Sequence, residues 1–586
     1  MFDLIISGGT VIDGSGREPF TADVAILDGV VSAIGTQLGS ARRTVDASGA
    51  LVTPGFVDIH SHYDGQVVWG STLEPSSWHG VTTTVFGNCG VGFAPVRRQD
   101  HDTLIALMEG VEDIPGTALH EGISWAWESF GEYLDAIDRN FDMDIAAQVP
   151  HGAVRLYVMG ERASNGESAS PNDITEMAQI VAGAVRAGAL GFTTSRTVNH
   201  RTAGGADTPT LRAAHDELLG IARAVGEVGR GVLELITDFD DVASDTGLIR
   251  QMAEVSGRPV SFSLQPKQSH PDLVSQLLGF LDESAAHDLP IRGQVAARAV
   301  GTLVGHTATM HPFENCPTAR ALKELPLERR LEALRRSDTR SRILNEYAPP
   351  LSTPGQTVRR KLGKVRRRLL GRAEPFHRFD GMYVLTDPPN YEPDPSTSVG
   401  AEARRHGVNV DEFVYDLLLE EDGQRLLYVP IFNYTDNILD EARRLLVHDS
   451  TVMGLGDGGA HVGIICDASF QTTMLTHWAR DRTRGEKLGL AYVVRQMTRA
   501  TAEAVGLTDR GLLEVGMRAD INVIDLDRLT AHAPYIVHDL PAGGARFLQR
   551  ADGYLHTFVR GVETYTNGVA TGALPGRLVR GGPLGT

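Results

Sequence analysis

Three short segments of this 586-residue chain set side chains that bind metals or move protons directly after apolar runs. The first is TPGFVDIHSHYDG at 53–65, where the apolar run 56–59 leads into His60-Ser61-His62. Residues i and i+2 of a strand point to one side, so both imidazoles project together. Histidine is a favoured ligand of zinc-like ions, and two converging imidazoles make His60 and His62 candidate metal ligands. The second is VTTTVFGNCGVGFAP at 81–95, where a β-branched run ends in a Gly-Asn-Cys-Gly turn. Cys89 there either ligates a metal as a thiolate or is a buried structural cysteine. The third is TVMGLGDGGAHVG at 451–463. Asp457 follows an apolar run and precedes two glycines that allow a tight turn. A carboxylate so placed can touch a metal and take a proton from water as a general base; the plainer reading is a turn aspartate capping a helix. His461 is either a donor behind that carboxylate or an exposed histidine.

Two further positions could handle substrate. Arg196, after 190–195, could clamp a substrate carboxylate through paired hydrogen bonds, or lie on the surface. His151, just after the run 144–149, could hydrogen-bond the charge developing on a scissile carbonyl, or be a loop histidine. Cys316 and Cys466 have neither partner nor ligand spacing and read as structural.

The elements that must position these groups follow two patterns. The first 50 residues are short strands broken by turns: 2–7 and 10–12 around Gly8-Gly9, then 24–27, Asp28-Gly29 and 30–34. The chain's end repeats this grammar at 520–525, 554–560 and 563–567, as tight turns between β-branched runs do in hairpins. Between the ends, short apolar runs alternate with amphipathic stretches such as 174–187 and 210–228. That alternation predicts βα units on a parallel sheet. Eight strands are expected, near 56–60, 81–88, 144–149, 189–194, 231–237, 259–264, 290–297 and 451–456. The fold class is therefore α/β: a (β/α)8 TIM barrel over 55–504, with a small β-sandwich domain built from both chain termini, 1–54 and 505–586. The stretch from about 310 to 425 lacks the repeat and reads as an insertion. It contains the basic run RRKLGKVRRRLLGR at 359–372, either a solvated helix face in an insertion or a surface for an anionic substrate, an acidic partner chain or a lid over the barrel mouth.

Bulk properties narrow the partners. A net charge of −19 argues against nucleic acid. Three cysteines cannot build a disulfide framework, which fits a reducing compartment. No basic-then-apolar leader and no apolar run of about 18 residues is seen, so a cytoplasmic protein without a membrane partner is expected. The expected partner is a small-molecule amide substrate; assembly into a homo-oligomer stays open.

Taken together, the three segments resemble the amidohydrolase superfamily, and within it the N-acyl-D-amino-acid deacylase (D-aminoacylase) family. The likeness runs nearly end to end, through DLIISGGTVIDGSG, VTPGFVDIHSHYD, GNCGVGFAP, PHGAVR at 150–155, GDGGAH and EVGMRADINVIDLD. The resemblance implies a barrel with a small β-sandwich, one or two divalent metals (usually zinc) and hydrolysis of an acyl–amide bond. It assigns His60 and His62 as first metal ligands, Cys89 as the metal-bridging cysteine and Asp457 as the catalytic aspartate. The chain departs from the pattern where the family has histidines at the ends of the fifth and sixth strands. Ile236 and Leu264 stand there, and neither can bind a metal. His270 lies six residues past the second position. Glu234 and Asp238 share a strand face with Ile236 and are candidate replacement ligands. The segment 190–196 offers no lysine for a carbamylated bridge.

The expected activity is hydrolysis of the amide C–N bond of an N-acyl amino acid or related small amide. One divalent metal, expected to be Zn2+ and held by His60, His62 and Asp457 with Cys89 as a further candidate ligand, would activate the water, with Asp457 also as base. The alternatives are a hydrolase of a cyclic amide, imide or carbamate-like substrate, and a catalytically inactive amidohydrolase-like scaffold.

Overall fold

The computed structural model describes residues 1–267, 270–347 and 379–581. The basic run 359–372 lies outside them. Eight strands form one parallel sheet in sequential order: β1 (Phe56–Ser61), β2 (Val81–Phe86), β3 (Asp144–Pro150), β4 (Gly191–Arg196), β5 (Val232–Thr237), β6 (Val260–Ser263), β7 (Ile291–Val295) and β8 (Thr451–Met453). Each falls where the alternation of apolar runs places it. The sheet curls until its two edges meet beyond β8: Ser61 bridges Gly458 in parallel, the Asp457 N–H donates to the His60 carbonyl at 2.9 Å, and the His62 N–H donates to the Gly458 carbonyl at 2.7 Å. This closed TIM barrel sets the loop after the last strand against the histidines of the first.

The outer helices bury one stripe each. In Pro171–Ala187, Met177, Val181, Ala184 and Val185 face the barrel. Its start is fixed by Ser170, whose hydroxyl accepts from the Asp173 N–H, with proline at the first helical position. Burying each large apolar side chain contributes about 1.5–3 kcal/mol, so Val181→Asp would undo the contact that docks this helix.

A second, nine-stranded sheet draws on both ends of the chain. Its seam is the antiparallel pairing of Leu51–Pro54 with Ile521–Ile524, packed over Ile6, Val24, Val52, Val523 and Phe558. One expectation is corrected here. Gly8-Gly9 does not turn the chain: Phe2–Val11 is one strand whose register shifts between Ile6 and Gly9. Glycine inside a strand marks such a bulge as readily as a turn.

Between β7 and β8 the chain leaves the barrel. Val300–Val304, Leu427–Phe432 and Tyr383–Val384 form a three-stranded antiparallel sheet. With neighbouring helices it encloses its own core, including Phe313, Ile343, Phe379 and Val414. The excursion is thus an added subdomain, opening earlier in the chain than position 310. Among the described residues, no helix is long and apolar enough to cross a membrane.

Candidate metal centre

At the C-terminal mouth of the barrel, β1 delivers His60 and His62 with rings in an edge-on arrangement, centroids 5.6 Å apart. Both are buried. The turn after β2 brings Cys89 Sγ to 3.4 Å from His60 Nε2 and 3.6 Å from His62 Nε2. These three donors lie within 4.8 Å of one another. Zinc with Zn–N near ~2.0–2.1 Å and Zn–S near ~2.3 Å requires donor separations of roughly 3.3–3.6 Å in a tetrahedron. The observed N···S distances match. Three protein donors also leave a fourth position for water or substrate, the mark of a catalytic rather than a structural site.

Asp457 faces the same two nitrogens: its Oδ1 lies 3.4 Å from His60 Nε2 and 3.6 Å from His62 Nε2, with no hydrogen-bond partner. Its other oxygen lies 3.9 Å from His461 Nε2, which in turn lies 3.7 Å from Glu112 Oε2. Of the two readings of His461, the geometry thus favours a group behind the carboxylate.

The backbone is forced into shape to make this convergence. Cys89, Asp457 and His461 all have left-handed φ, at 57°, 46° and 50°, a conformation that costs a non-glycine residue about 1–3 kcal/mol and clusters at functional sites. Gly87 opens the cysteine turn with φ at 83°, and a Cβ there would lie 2.3 Å from the Gln148 carbonyl oxygen. Asn88 then pins the turn: its amide donates to the Ser61 and Val85 carbonyls at 3.1 and 3.0 Å, and its oxygen accepts from Gln148 Nε2 at 2.8 Å.

The His60 tautomer follows from Gln294, a neighbour that sequence reasoning missed. Gln294 on β7 spends its amide N–H on Ser261 Oγ at 2.9 Å, so its oxygen faces His60 Nδ1 at 2.8 Å. A carbonyl oxygen only accepts, so Nδ1 carries the proton and the Nε2 lone pair faces Cys89 and Asp457. Glu234 Oε1 lies 3.2 Å from the same Nδ1, and Glu112 Oε1 lies 3.3 Å from His62 Nδ1.

The surroundings are strongly negative. Asp58, Asp64, Glu112 and Glu234 are all buried beside the histidines. Burial pushes Asp58 and Asp64 up to about 7. It works against charging His60, yet Glu234, Asp457 and Gln294 prevail and hold it up at about 10. Burial likewise opposes ionisation of Asp457, but its contact with His62 and the charges of His60 and His461 hold it well below the carboxylate range. Cys89 is pushed well up by burial and by Glu112, Glu234, Asp457 and Asp64. A thiolate forms here only together with a cation that offsets these charges. The donor set fits a divalent ion.

The other expected site residues separate from this cluster. His151 is buried with Nδ1 2.8 Å from Thr194 Oγ1 and Nε2 2.8 Å from Glu217 Oε1. Both ring nitrogens thus face partners inside the protein. Asp238 accepts from Thr197 Oγ1 at 2.7 Å and the Val198 N–H at 2.8 Å, fastening the loop after β4. Glu234 reaches the Nδ1 side of His60, not the Nε2 side where the donors converge. Arg196 leans on Asp245 at 3.5 Å, and its Nε has no hydrogen-bond partner. Cys316 and Cys466 are buried and free. His200 was also missed: Ser195 Oγ holds its Nδ1 at 2.9 Å, and burial with the charges of His461 and His62 pushes it down to about 3, which places it by the mouth.

A barrel with paired histidines ending its first strand, a cysteine after its second and an aspartate after its last defines a metal-dependent hydrolase. The chain belongs to the amidohydrolase family, whose pattern it matches over residues 43–565. An uncharacterized protein of Mycobacterium tuberculosis (strain ATCC 25618 / H37Rv) is 26% identical over 620 residues, spanning 100% of this chain and 96% of that one. The D-aminoacylase of Alcaligenes xylosoxydans xylosoxydans is 31% identical over 230 residues, 39% of this chain and 43% of that one. Two solved structures share the fold at 21% identity. A D-aminoacylase described for its binuclear metal centre, with one-metal activation and second-metal attenuation, has a TM-score of 0.63 and covers 99% of this chain and 100% of its own. An N-acyl-D-glutamate deacylase from Bordetella bronchiseptica, complexed with zinc and a phosphonate inhibitor, has a TM-score of 0.60 and covers 99% of each chain. The protein is a hydrolase acting on carbon–nitrogen bonds other than peptide bonds, dependent on a divalent metal.

Proposed function

We propose that this chain cleaves the amide bond of an N-acyl amino acid or a related small amide, using a single zinc ion and Asp457 as the proton carrier. The observation that carries the reading is the convergence of His60 Nε2, His62 Nε2 and Cys89 Sγ with Asp457 Oδ1 facing the same two nitrogens. Thiolate and imidazole donors favour zinc over magnesium or calcium. When bound, such an ion supplies Lewis-acid polarisation of the carbonyl and makes water acidic near neutral pH. Asp457, held ionised, takes a proton from the attacking water and returns it to the departing amine. Its left-handed backbone and its N–H bond to the His60 carbonyl fix it against the ligands. Arg196, with an unpartnered Nε at the end of β4, retains donors for a substrate carboxylate.

The test is a panel of N-acyl-D- and N-acyl-L-amino acids and cyclic amides, read by amine release, with zinc-loaded wild type and Asp457→Asn. Wild type should open a linear N-acyl amino acid, and Asp457→Asn should lose ~10²–10⁴-fold in kcat while keeping its metal. Turnover of cyclic amides alone would overturn the substrate class, and full activity in Asp457→Asn would overturn its role.

A further inference from the structure

We infer that Glu112 and Glu234 are paired positioning residues whose carboxylates stand behind Nδ1 of the two histidine ligands, Glu234 beside the Gln294 oxygen that already faces His60 Nδ1, so that both imidazoles present Nε2 to one ion. This rests on the reading that His60, His62 and Cys89 bind a metal. Glu234 Oε1 lies 3.2 Å from His60 Nδ1, and Glu112 Oε1 lies 3.3 Å from His62 Nδ1. The arrangement is nearly the same twice over, yet the two carboxylates come from unrelated elements: Glu234 from the interior of β5, Glu112 from the last residue of the helix His101–Glu112.

Three observations set these two apart from ordinary buried acids. Both glutamates are 1% exposed, and neither carboxylate has a hydrogen-bond partner on either oxygen. No lysine or arginine forms an ion pair with either among the described residues. Among the described residues, the charged groups within ion-pair distance of either carboxylate are imidazoles, and two of those imidazoles direct Nε2 at Cys89. A carboxylate behind a metal-bound histidine fixes the tautomer and raises the basicity of the ligating nitrogen.

The same geometry explains the apolar residues at the ends of the fifth and sixth strands. Glu234 stands two residues before Ile236 on the same strand face, one step deeper in the barrel. From there it reaches the rear of His60. Leu264 is buried in the apolar core. Negative charge that a second ion would need in front of the histidines is instead spent behind them. The helix end carrying Glu112 is fastened to the last-strand loop, where the His461 N–H donates to the Glu112 carbonyl at 2.5 Å. His62 and Asp457 are thereby kept in one frame.

The experiment is metal content together with competition against a chelator, on purified wild type, Glu112→Gln, Glu112→Ala, Glu234→Gln and Glu234→Ala, with circular dichroism as a fold check. Wild type should saturate at one equivalent. Glu112→Ala should bind zinc ~100-fold more weakly and Glu112→Gln, which keeps an acceptor for Nδ1–H, ~10-fold more weakly; Glu234→Ala, in which Gln294 Oε1 still faces His60 Nδ1, should lose ~10-fold and Glu234→Gln less. A structural role alone would not give this graded rescue in affinity. Wild-type affinity in the alanine variants would overturn the inference while leaving the metal site intact. So would two equivalents in wild type falling to one in the variants, which would make the glutamates ligands of a second ion. Absence of zinc binding by wild type would instead show that the metal reading beneath it is wrong.

Discussion

The two ends of the barrel handle buried carboxylates in opposite ways. At the bottom, Asp144 opens β3 and is met by Arg510 at 2.8 Å and Arg518 at 2.7 Å. Arg510 also donates to Thr83 Oγ1 at 2.8 Å, and Arg518 pairs with Asp520 at 2.8 Å. Every charge there has a protein partner, and together they fasten the terminal sheet to the barrel. At the mouth, Glu112, Glu234 and Asp457 are surrounded by histidines and a cysteine, with no guanidinium or ammonium ion-paired to them among the described residues. The contrast teaches how to tell a structural acid from a functional one. The structural acid arrives with its cation in the sequence; the functional acid waits for one that the sequence does not encode. Conservation of fold at the bottom and chemistry at the top is the division expected of TIM barrels.

If the bottom cluster is purely structural, Arg510→Met should cost about 3–5 kcal/mol in urea unfolding by stranding Asp144, while metal content per folded molecule stays the same. A fall in metal content with stability intact would break the division between the ends. Asp457→Asn is its mirror image: a large loss of turnover with the unfolding midpoint unmoved.

A smaller effect sharpens the point at Glu392, a buried acid in the added subdomain that is fully partnered. Arg482 meets it at 3.0 and 3.1 Å, His477 at 3.1 Å and the Leu439 N–H at 2.8 Å. Burial opposes its charge, but the bonds from His477 and Arg482 prevail and draw it down to about 2. A carboxylate lowered in the folded state contributes stability that is fully present above its unfolded pKa, about 4.3. That contribution is lost as pH falls through about 2. Glu392→Gln should therefore be less stable than wild type at pH 7, with the gap closing on acidification; a gap independent of pH would contradict the pairing.

What the sequence disclosed divides along a physical line. The eight barrel strands were legible because each is a short apolar run, and several lead into amphipathic helices such as Pro171–Ala187 and His215–Val228. His60, His62, Cys89 and Asp457 were legible because each ends such a run. Glu112 was not, since it ends a helix and meets His62 only through the fold; nothing local distinguishes it from any helical glutamate. Glu234 was singled out for its strand face, but parity cannot say which nitrogen of His60 it would meet. The partner of His151 was hidden for the same reason: Glu217 lies 66 residues away. The added subdomain left no repeat to read because its three strands pair antiparallel across long separations, with Val300–Val304 finding Leu427–Phe432.

The most direct test of the central claim is elemental analysis of protein purified without added metal or chelator, with His60→Ala alongside. About one equivalent of zinc in wild type, lost in the variant, is the result this account predicts. No bound metal in wild type, even after incubation with zinc, would contradict it.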